Sequence, residues 1–175
     1  MIKRISLPPT AEEINGLKAG DIVSASGAVF TARDAAHKRF FEAIAKGEDL
    51  PIDIKASAIY YAGPCPAKNG FACGSCGPTT SARMNAYAPT LIDMGLKCVI
   101  GKGEISEKTI AAVKRNAAVY LAAIGGAGAL YASRVVSSEC VAYGDLLSEA
   151  VFRLVVEDFP LVVAVDRMGV SIYNK

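Results

Sequence analysis

The sequence has little net charge, a single histidine and no long apolar run. Its 19 Lys and Arg residues nearly balance its 17 Asp and Glu residues, which leaves a formal charge of +2. A general nucleic-acid-binding surface needs a strongly basic face, so we expect no nucleic-acid partner. Charged and polar residues interrupt every apolar run before the ~20 residues of a membrane span, so we expect no membrane partner either.

The amino-terminal segment and the cysteines indicate one cellular compartment. Residues 1–10, MIKRISLPPT, carry basic residues but lack the apolar segment of a secretory signal. The chain has five cysteines, an odd number that argues against a framework of disulfides. We therefore expect a protein of the reducing cytoplasm.

The composition is that of a folded chain with a substantial core. Hydrophobic residues make up 52% of the 175 residues and charged residues 21%, which excludes intrinsic disorder. The length fits one domain with a short extension, and we find no internal repeat or low-complexity linker. The sequence predicts a single domain over residues 1–175.

Capping signals and apolar periodicity predict alternating strands and helices. Predicted helices cover 10–16, 33–46, 79–94, 106–115, 125–134 and a short turn at 145–149. Predicted strands cover 21–26, 57–62, 97–100, 118–124, 135–142, 151–157, 161–166 and 170–173. Alternation over the first two thirds indicates an α/β fold with a largely parallel sheet, and the strand-rich end indicates a second, antiparallel layer.

Residues 77–84, GPTTSARM, have the pattern of an anion site. Pro78 is tolerated at the start of a helix, and Thr79, Thr80 and Ser81 would then place hydroxyls and free N–H groups at its positive end. Arg83 adds a guanidinium that can bind a carboxylate with two hydrogen bonds. The alternative is ordinary helix capping followed by a surface arginine.

Two further cations are predicted near this segment. Arg33 begins a helix in TARDAAHKR, and Lys102 lies between two glycines after strand 97–100. Ligands of α/β domains bind beyond the carboxyl ends of parallel strands, so these residues should converge with Arg83 around a small dianion such as a dicarboxylate. His37 is a further candidate for this site; the alternative is a helix histidine bonded to a neighbour.

The cysteines allow a different interpretation. Cys65, Cys73 and Cys76 are spaced Cys-x7-Cys-x2-Cys, which suits an iron–sulfur cluster or a dithiol of a stand-alone redox protein. Zinc would need a second matching pair, which Cys98 and Cys140 do not supply. The simpler interpretation is small thiols buried in the core or placed in loops.

The motifs GPTTSARM at 77–84, TARDAAHKR at 31–39 and GKG at 101–103 resemble the β subunit, or C-terminal region, of iron–sulfur class I fumarases and tartrate dehydratases. The segments YGDLLSEA, VEDFP and VAVD in residues 143–166 are similar too. The resemblance implies a swivelling β/β/α domain of three layers, with a parallel central sheet and a second antiparallel sheet.

The resemblance also implies which residues act. Arg33, Arg83 and Lys102 would bind the substrate carboxylates. Thr79 would be the proposed base at the carbon that loses its proton, and Thr80 would contact the substrate. A [4Fe–4S] cluster would be held by three cysteines of the α subunit, so no metal ligand is assigned to this chain.

The function so implied is the β subunit of a two-subunit hydro-lyase that converts fumarate to L-malate reversibly. It would be active only with a fumarase-type α subunit, in a heterotetramer of two α and two β chains. The alternative within the family is an L-tartrate dehydratase β subunit.

Overall fold

The computed structural model describes residues 1–68 and 70–173. Its five α-helices and seven strands alternate over most of the chain, as predicted. Helices α1 to α5 cover Ala11–Gly16, Asp34–Lys46, Ala88–Asp93, Glu107–Arg115 and Gly128–Ser133. Strands β1 to β7 cover Lys3–Leu7, Ile22–Thr31, Ala58–Tyr60, Cys98–Gly101, Val119–Ala122, Val135–Ala142 and Val151–Val165. Short 3₁₀ turns cover Ile54–Ala56, Ser81–Met84 and Gly144–Glu149.

The helix termini follow from local chemistry. The Thr10 hydroxyl accepts from the Glu13 amide, and the Glu13 carboxylate accepts from the Thr10 amide, which completes the predicted capping box of α1. Helix α2 ends at Gly47, whose left-handed φ of 72° suits glycine. None of the helices in the described residues is long and apolar enough to cross a membrane.

Strands β1 to β5 pair in parallel and in sequence order, whereas β6 and β7 are antiparallel. The antiparallel strands do not form the second, separate layer that the sequence suggested, because they belong to the same seven-stranded sheet as the parallel strands. Residues 151–165 form one strand of 15 residues, long enough to pair with β6, β5 and β2. Because β7 bonds to both β2 and β5, it closes the parallel strands into a barrel. Residues 170–173, predicted as a strand, contribute only a single bridge from Ser171 to Val165.

Both faces of the parallel strands are buried, which explains their nearly continuous apolar sequences. Tyr60, Ile100 and Leu121 share one core with Phe159 and the α5 residue Tyr131. The alternate strand residues pack in a second core against the helices α2, α3 and α4; this set includes Ile59, Val99, Tyr120, Phe40, Leu91 and Val113. Packing on two sides fixes the strands and therefore the segments that follow them.

Candidate active site

The predicted cations lie at one edge of the sheet. Thr31 pairs with Tyr60, Tyr60 with Ile100, and Ile100 with Leu121, so the carboxyl ends of β2 to β5 are aligned. Arg33 follows β2 and Lys102 follows β4, two strands away, which is a separation of about 10 Å across the sheet. We call this edge, with Arg33, residues 78–84 and residues 101–103, the rim.

Residues 79–80 do not begin a helix, contrary to the sequence prediction. The Thr79 amide donates to Tyr61 O at 2.6 Å, and Thr80 bridges to Lys102 in parallel. The Ser81 amide donates to Lys102 O at 2.8 Å. The predicted helix start is therefore wrong, and the Thr79 and Ser81 amides, which it would have left free, already have partners. The threonines still reach the rim, since β-branched residues suit an extended backbone beside the ends of β3 and β4.

Arg33 is half-buried and lies between a carboxylate and a glycine. Its Nε is 2.8 Å from the Glu149 carboxylate, whose other oxygen accepts from the Ala35 amide at 3.2 Å. A Cβ at Gly63 would lie 2.9 Å from the Arg33 guanidinium carbon, so the guanidinium needs a glycine there. The buried Arg33 Nε has no hydrogen-bond partner of good geometry among the described residues, so the Glu149 contact is an ion pair.

Arg83 is held by the residue that follows Arg33. Its Nε donates to Asp34 Oδ1 at 2.9 Å and its Nη2 to Asp34 Oδ2 at 2.5 Å. This bidentate pair fixes the plane of the guanidinium and leaves Nη1 outside it. The Arg83 side chain is 54% exposed, so it faces solvent rather than the core and is accessible to a ligand.

Lys102 is positioned through its backbone. The Lys102 amide donates to Ser81 Oγ at 2.9 Å, Ser81 Oγ bonds Tyr120 OH at 2.9 Å, and Tyr120 OH donates to Gly103 O at 2.7 Å. Ser81 Oγ fits because Gly101 has no side chain; a Cβ there would lie 2.0 Å away. Among residues 1–68 and 70–173, the recorded ion pairs do not include Lys102. Its positive charge therefore has no carboxylate partner in this part of the chain.

His37 supports the rim from below. It is fully buried, its ring contacts Phe40, Tyr61 and Tyr87, and Nδ1 lies 3.0 Å from Arg33 O. Burial lowers the pKa of His37 to about 4, so the ring is neutral and Nδ1–H donates to that carbonyl. The geometry favours the alternative of a helix histidine bonded to a neighbour.

Sequence reasoning missed the acidic partners of the two arginines. Asp34 stands beside Arg33 in the sequence and was a visible candidate. Glu149 is more than one hundred residues from α2, whose Ala35 amide it accepts from, so no local pattern pairs it with Arg33. The missed partners leave three cations with two carboxylates, an arrangement that still favours an anionic ligand.

The three-cysteine cluster was tested as a metal site. Cys73 and Cys76 are buried and belong to the same apolar core cluster, whereas Cys65 is exposed. Across the described residues, no group of three or more His, Cys, Asp or Glu side chains has the geometry to hold a metal ion. Within residues 1–68 and 70–173, the cysteines therefore do not form a site that fits an iron–sulfur cluster.

A family comparison decides what this rim belongs to. The model of the family described as "Fumarase C-terminus" matches residues 1–175. The chain belongs to this family. The resemblance expected from the sequence motifs is thereby confirmed.

Individual relatives of this fumarase C-terminus chain support the same family assignment. It is 41% identical over 172 residues to a Methanocaldococcus jannaschii protein named "Putative L(+)-tartrate dehydratase subunit beta", covering 95% of this chain and 88% of the relative. It is 39% identical over 155 residues to "Fumarate hydratase class I, aerobic" of Escherichia coli, covering 87% of this chain and 28% of the relative. It is 37% identical over 166 residues to "Fumarate hydratase 2" of Leishmania major, covering 94% and 29%. The chain thus spans nearly all of the archaeal relative but under a third of the two fumarate hydratases.

Proposed function

We propose that this chain is the β subunit of a two-subunit hydro-lyase that interconverts fumarate and L-malate. The observation that carries the proposal is the convergence of Arg33, Arg83 and Lys102 at the carboxyl ends of parallel strands, in a chain of the fumarase C-terminus family. Fumarate is a small dianion, and this rim presents cations at separated positions.

Arg33, Arg83 and Lys102 are proposed to bind the two substrate carboxylates. Asp34 and Glu149 orient the arginines, and Arg83 Nη1, which lies outside the pair with Asp34, can donate to a carboxylate. When the carbon proton leaves L-malate, negative charge moves onto the adjacent carboxylate. Cations already in place stabilise that charge without reorganising, which lowers the barrier.

Thr79 is proposed to act at the carbon that loses its proton, with Thr80 contacting the substrate. Thr79 is half-buried and its amide is anchored to Tyr61 O, so its position beside β3 is fixed between Arg33 and Lys102. A threonine hydroxyl is a weak base, and a neighbouring cation would favour its deprotonated form. Thr80 is exposed and bridges to Lys102, so it faces outward from the same rim.

The rest of the active site is proposed to come from a fumarase-type α subunit. A [4Fe–4S] cluster held there would supply a Lewis acid for the substrate hydroxyl. The exposed apolar side chains of Ile124, after β5, and Leu147, before Glu149, are suited to be covered by such a partner. We further propose a heterotetramer of two α and two β chains in the cytoplasm, active only when assembled, in which this chain moves as a swivelling domain.

The second candidate substrate is L-tartrate. It is favoured by the archaeal relative named as a tartrate dehydratase β subunit, of which this chain covers 88%. Tartrate is also a dicarboxylate and carries one more hydroxyl than malate. The same cations can bind it, so the discrimination would depend on the shape of the assembled pocket.

Co-expression with a fumarase-type α subunit tests the proposal. The purified complex is assayed anaerobically with fumarate, L-malate and L-tartrate. We expect reversible hydration of fumarate with this complex and none with either subunit alone. The matched control is Lys108→Met, which removes an exposed lysine of α4 and should leave turnover unchanged. A complex that assembles with its cluster but turns over none of these acids would overturn the proposal.

A further inference from the structure

Residues 63–68 and 70–77 lie in a loop that contains three cysteines. The Cys65 amide donates to Ser75 O and the Gly74 amide to Cys65 O, each at 2.9 Å. Gly74 permits this close approach, because a Cβ there would lie 2.8 Å from the Cys65 Cβ. Cys65 is therefore held against the turn between Cys73 and Cys76.

Cys73 and Cys76 form the buried part of this cluster. Cys73 is 4% exposed and Cys76 is fully buried. The two residues lie in the same apolar core cluster, and the neighbouring Cys76 thiol lowers the pKa of Cys73 while burial opposes it. The same contact and burial raise the pKa of Cys76. Cys73 is thus the better nucleophile, and Cys76 is the thiol beside it.

A cavity of about 680 Å³ gives small molecules access to Cys73. Its lining residues include Cys65, Cys73 and Cys140, with apolar residues such as Leu147 and Phe152 around them. Cys76 does not line the cavity and is fully buried. An oxidant that enters therefore meets Cys73 before it can reach Cys76.

We propose that Cys73 and Cys76 are a redox-active dithiol, which hydrogen peroxide entering this cavity oxidises to an intramolecular disulfide. The Cys73 thiolate attacks one peroxide oxygen, the O–O bond breaks, and the leaving hydroxide is protonated to water. Cys73 is then a sulfenic acid, whose sulfur Cys76 attacks while the Cys76 thiol proton passes to the leaving hydroxide, which releases a second water. Two thiols are oxidised and one peroxide is reduced to two waters.

The disulfide would pull on the rim through Cys76. A disulfide brings its sulfurs to about 2.0 Å, well inside any hydrogen-bonded contact between thiols. Cys76 is held on both sides, because Tyr60 OH donates to Cys76 O at 2.8 Å and the Cys76 amide donates to Gly128 O at 3.0 Å. Only Gly77 and Pro78 separate it from Thr79. Oxidation would therefore shift the segment that carries Thr79.

Trypsin separates the cysteines in a way that makes the test direct. Cleavage after Lys and Arg leaves Cys73 and Cys76 together in the peptide 69–83. Cys65, Cys98 and Cys140 fall in three other peptides, 56–68, 98–102 and 135–153. The purified chain is exposed to limiting hydrogen peroxide, alkylated with iodoacetamide after unfolding, digested and weighed by mass spectrometry.

We expect peptide 69–83 to lose two hydrogens and to take up no alkyl group, and dithiothreitol to restore both alkylation sites. Cys65→Ser and Cys140→Ser should leave this result unchanged, whereas Cys73→Ser should abolish it. Peptide 69–83 that stays doubly alkylated while Cys65 or Cys140 is oxidised would overturn the proposal. A disulfide joining peptides 56–68 and 69–83 would overturn it too. Neither outcome depends on hydro-lyase activity, so the two proposals fail separately.

Discussion

The rim has two sides that hold their cations by different means. On the arginine side, after β2, Arg33 and Arg83 each contact a carboxylate of this chain, Glu149 and Asp34. On the lysine side, after β4, Lys102 is placed by hydrogen bonds of its backbone through Ser81. The arginine side is therefore close to neutral, and the lysine side carries the charge that no described carboxylate compensates. We therefore expect the arginine side mainly to orient a bound dianion and the lysine side mainly to attract it.

Thr79 lies between the two sides, and we expect its loss to have the largest effect. Thr79→Ala should lower kcat about 10⁴-fold, the upper end of the range for removal of a proton-transfer group, with little change in KM. Thr79→Ser keeps the hydroxyl and should retain most of the activity. Steady-state kinetics of the assembled enzyme measure both variants. A rise in KM alone would mean that Thr79 only binds substrate.

Lys102→Met should come next, because it removes the one rim cation without an internal carboxylate partner in the described chain. We expect kcat/KM to fall by a factor equivalent to about 3–5 kcal/mol of transition-state stabilisation, which is in the range for removing one partner of a buried charge pair. The difference in kcat/KM between the unsubstituted enzyme and Lys102→Met should become smaller at high salt, because salt screens the attraction between Lys102 and the substrate. Lys108→Met on α4 is the matched control. Equal effects of Lys102→Met and Arg83→Ala would break the comparison.

Arg83→Ala should cost less, about 2–3 kcal/mol in kcat/KM, because the side chain is largely exposed and part of its charge is offset by Asp34. Arg83→Lys should recover only part of this loss, since an ammonium cannot reproduce the bidentate geometry. The measurement is kcat/KM of the assembled enzyme over a series of dicarboxylates. Near-normal turnover of Arg83→Ala would remove Arg83 from the site.

Much of this rim could be predicted from the sequence, and the errors have one cause. Arg33 and Lys102 stand just after recognisable strands, so parallel pairing was enough to bring them to one edge. The helix expected at 79–94 failed because the Thr79 and Ser81 amides bond to Tyr61 and Lys102, partners that no local pattern shows. The sequence predicted two strands where β7 is one, for the same reason: β7 pairs with β2, which is distant in the sequence.

The arginine side should also have a pH dependence that the lysine side lacks. Burial lowers the pKa of His37 to about 4 from an ordinary value of 6.5, so the unfolded chain takes up a proton first as the pH falls. The neutral His37 therefore makes its full contribution to the free energy of unfolding above about pH 6.5. This contribution decreases towards pH 4 and is about 2 kcal/mol smaller at pH 5.

Urea unfolding of the purified chain at neutral pH and at about pH 5 measures this loss. His37→Gln retains a side-chain donor for Arg33 O and has no titrating ring, so its stability should decrease less between the two pH values. The difference between the two proteins isolates His37 from the carboxylates that titrate in the same range. An identical decrease in both would show that His37 is not the group responsible.

The smallest effect is expected from Asp34→Asn, which tests whether the arginine side serves orientation. The amide can still accept one hydrogen bond from Arg83 but loses the charge and the bidentate geometry, and exposed pairs of this kind contribute about 0–1 kcal/mol. Loss of the acid also makes the rim more positive, which favours a dianion. If Asp34 mainly orients Arg83, these changes oppose each other, and KM should rise by no more than about fivefold with kcat nearly constant. If neutralisation were its main effect, KM would fall instead, and the arginine side would then be a second source of attraction like Lys102.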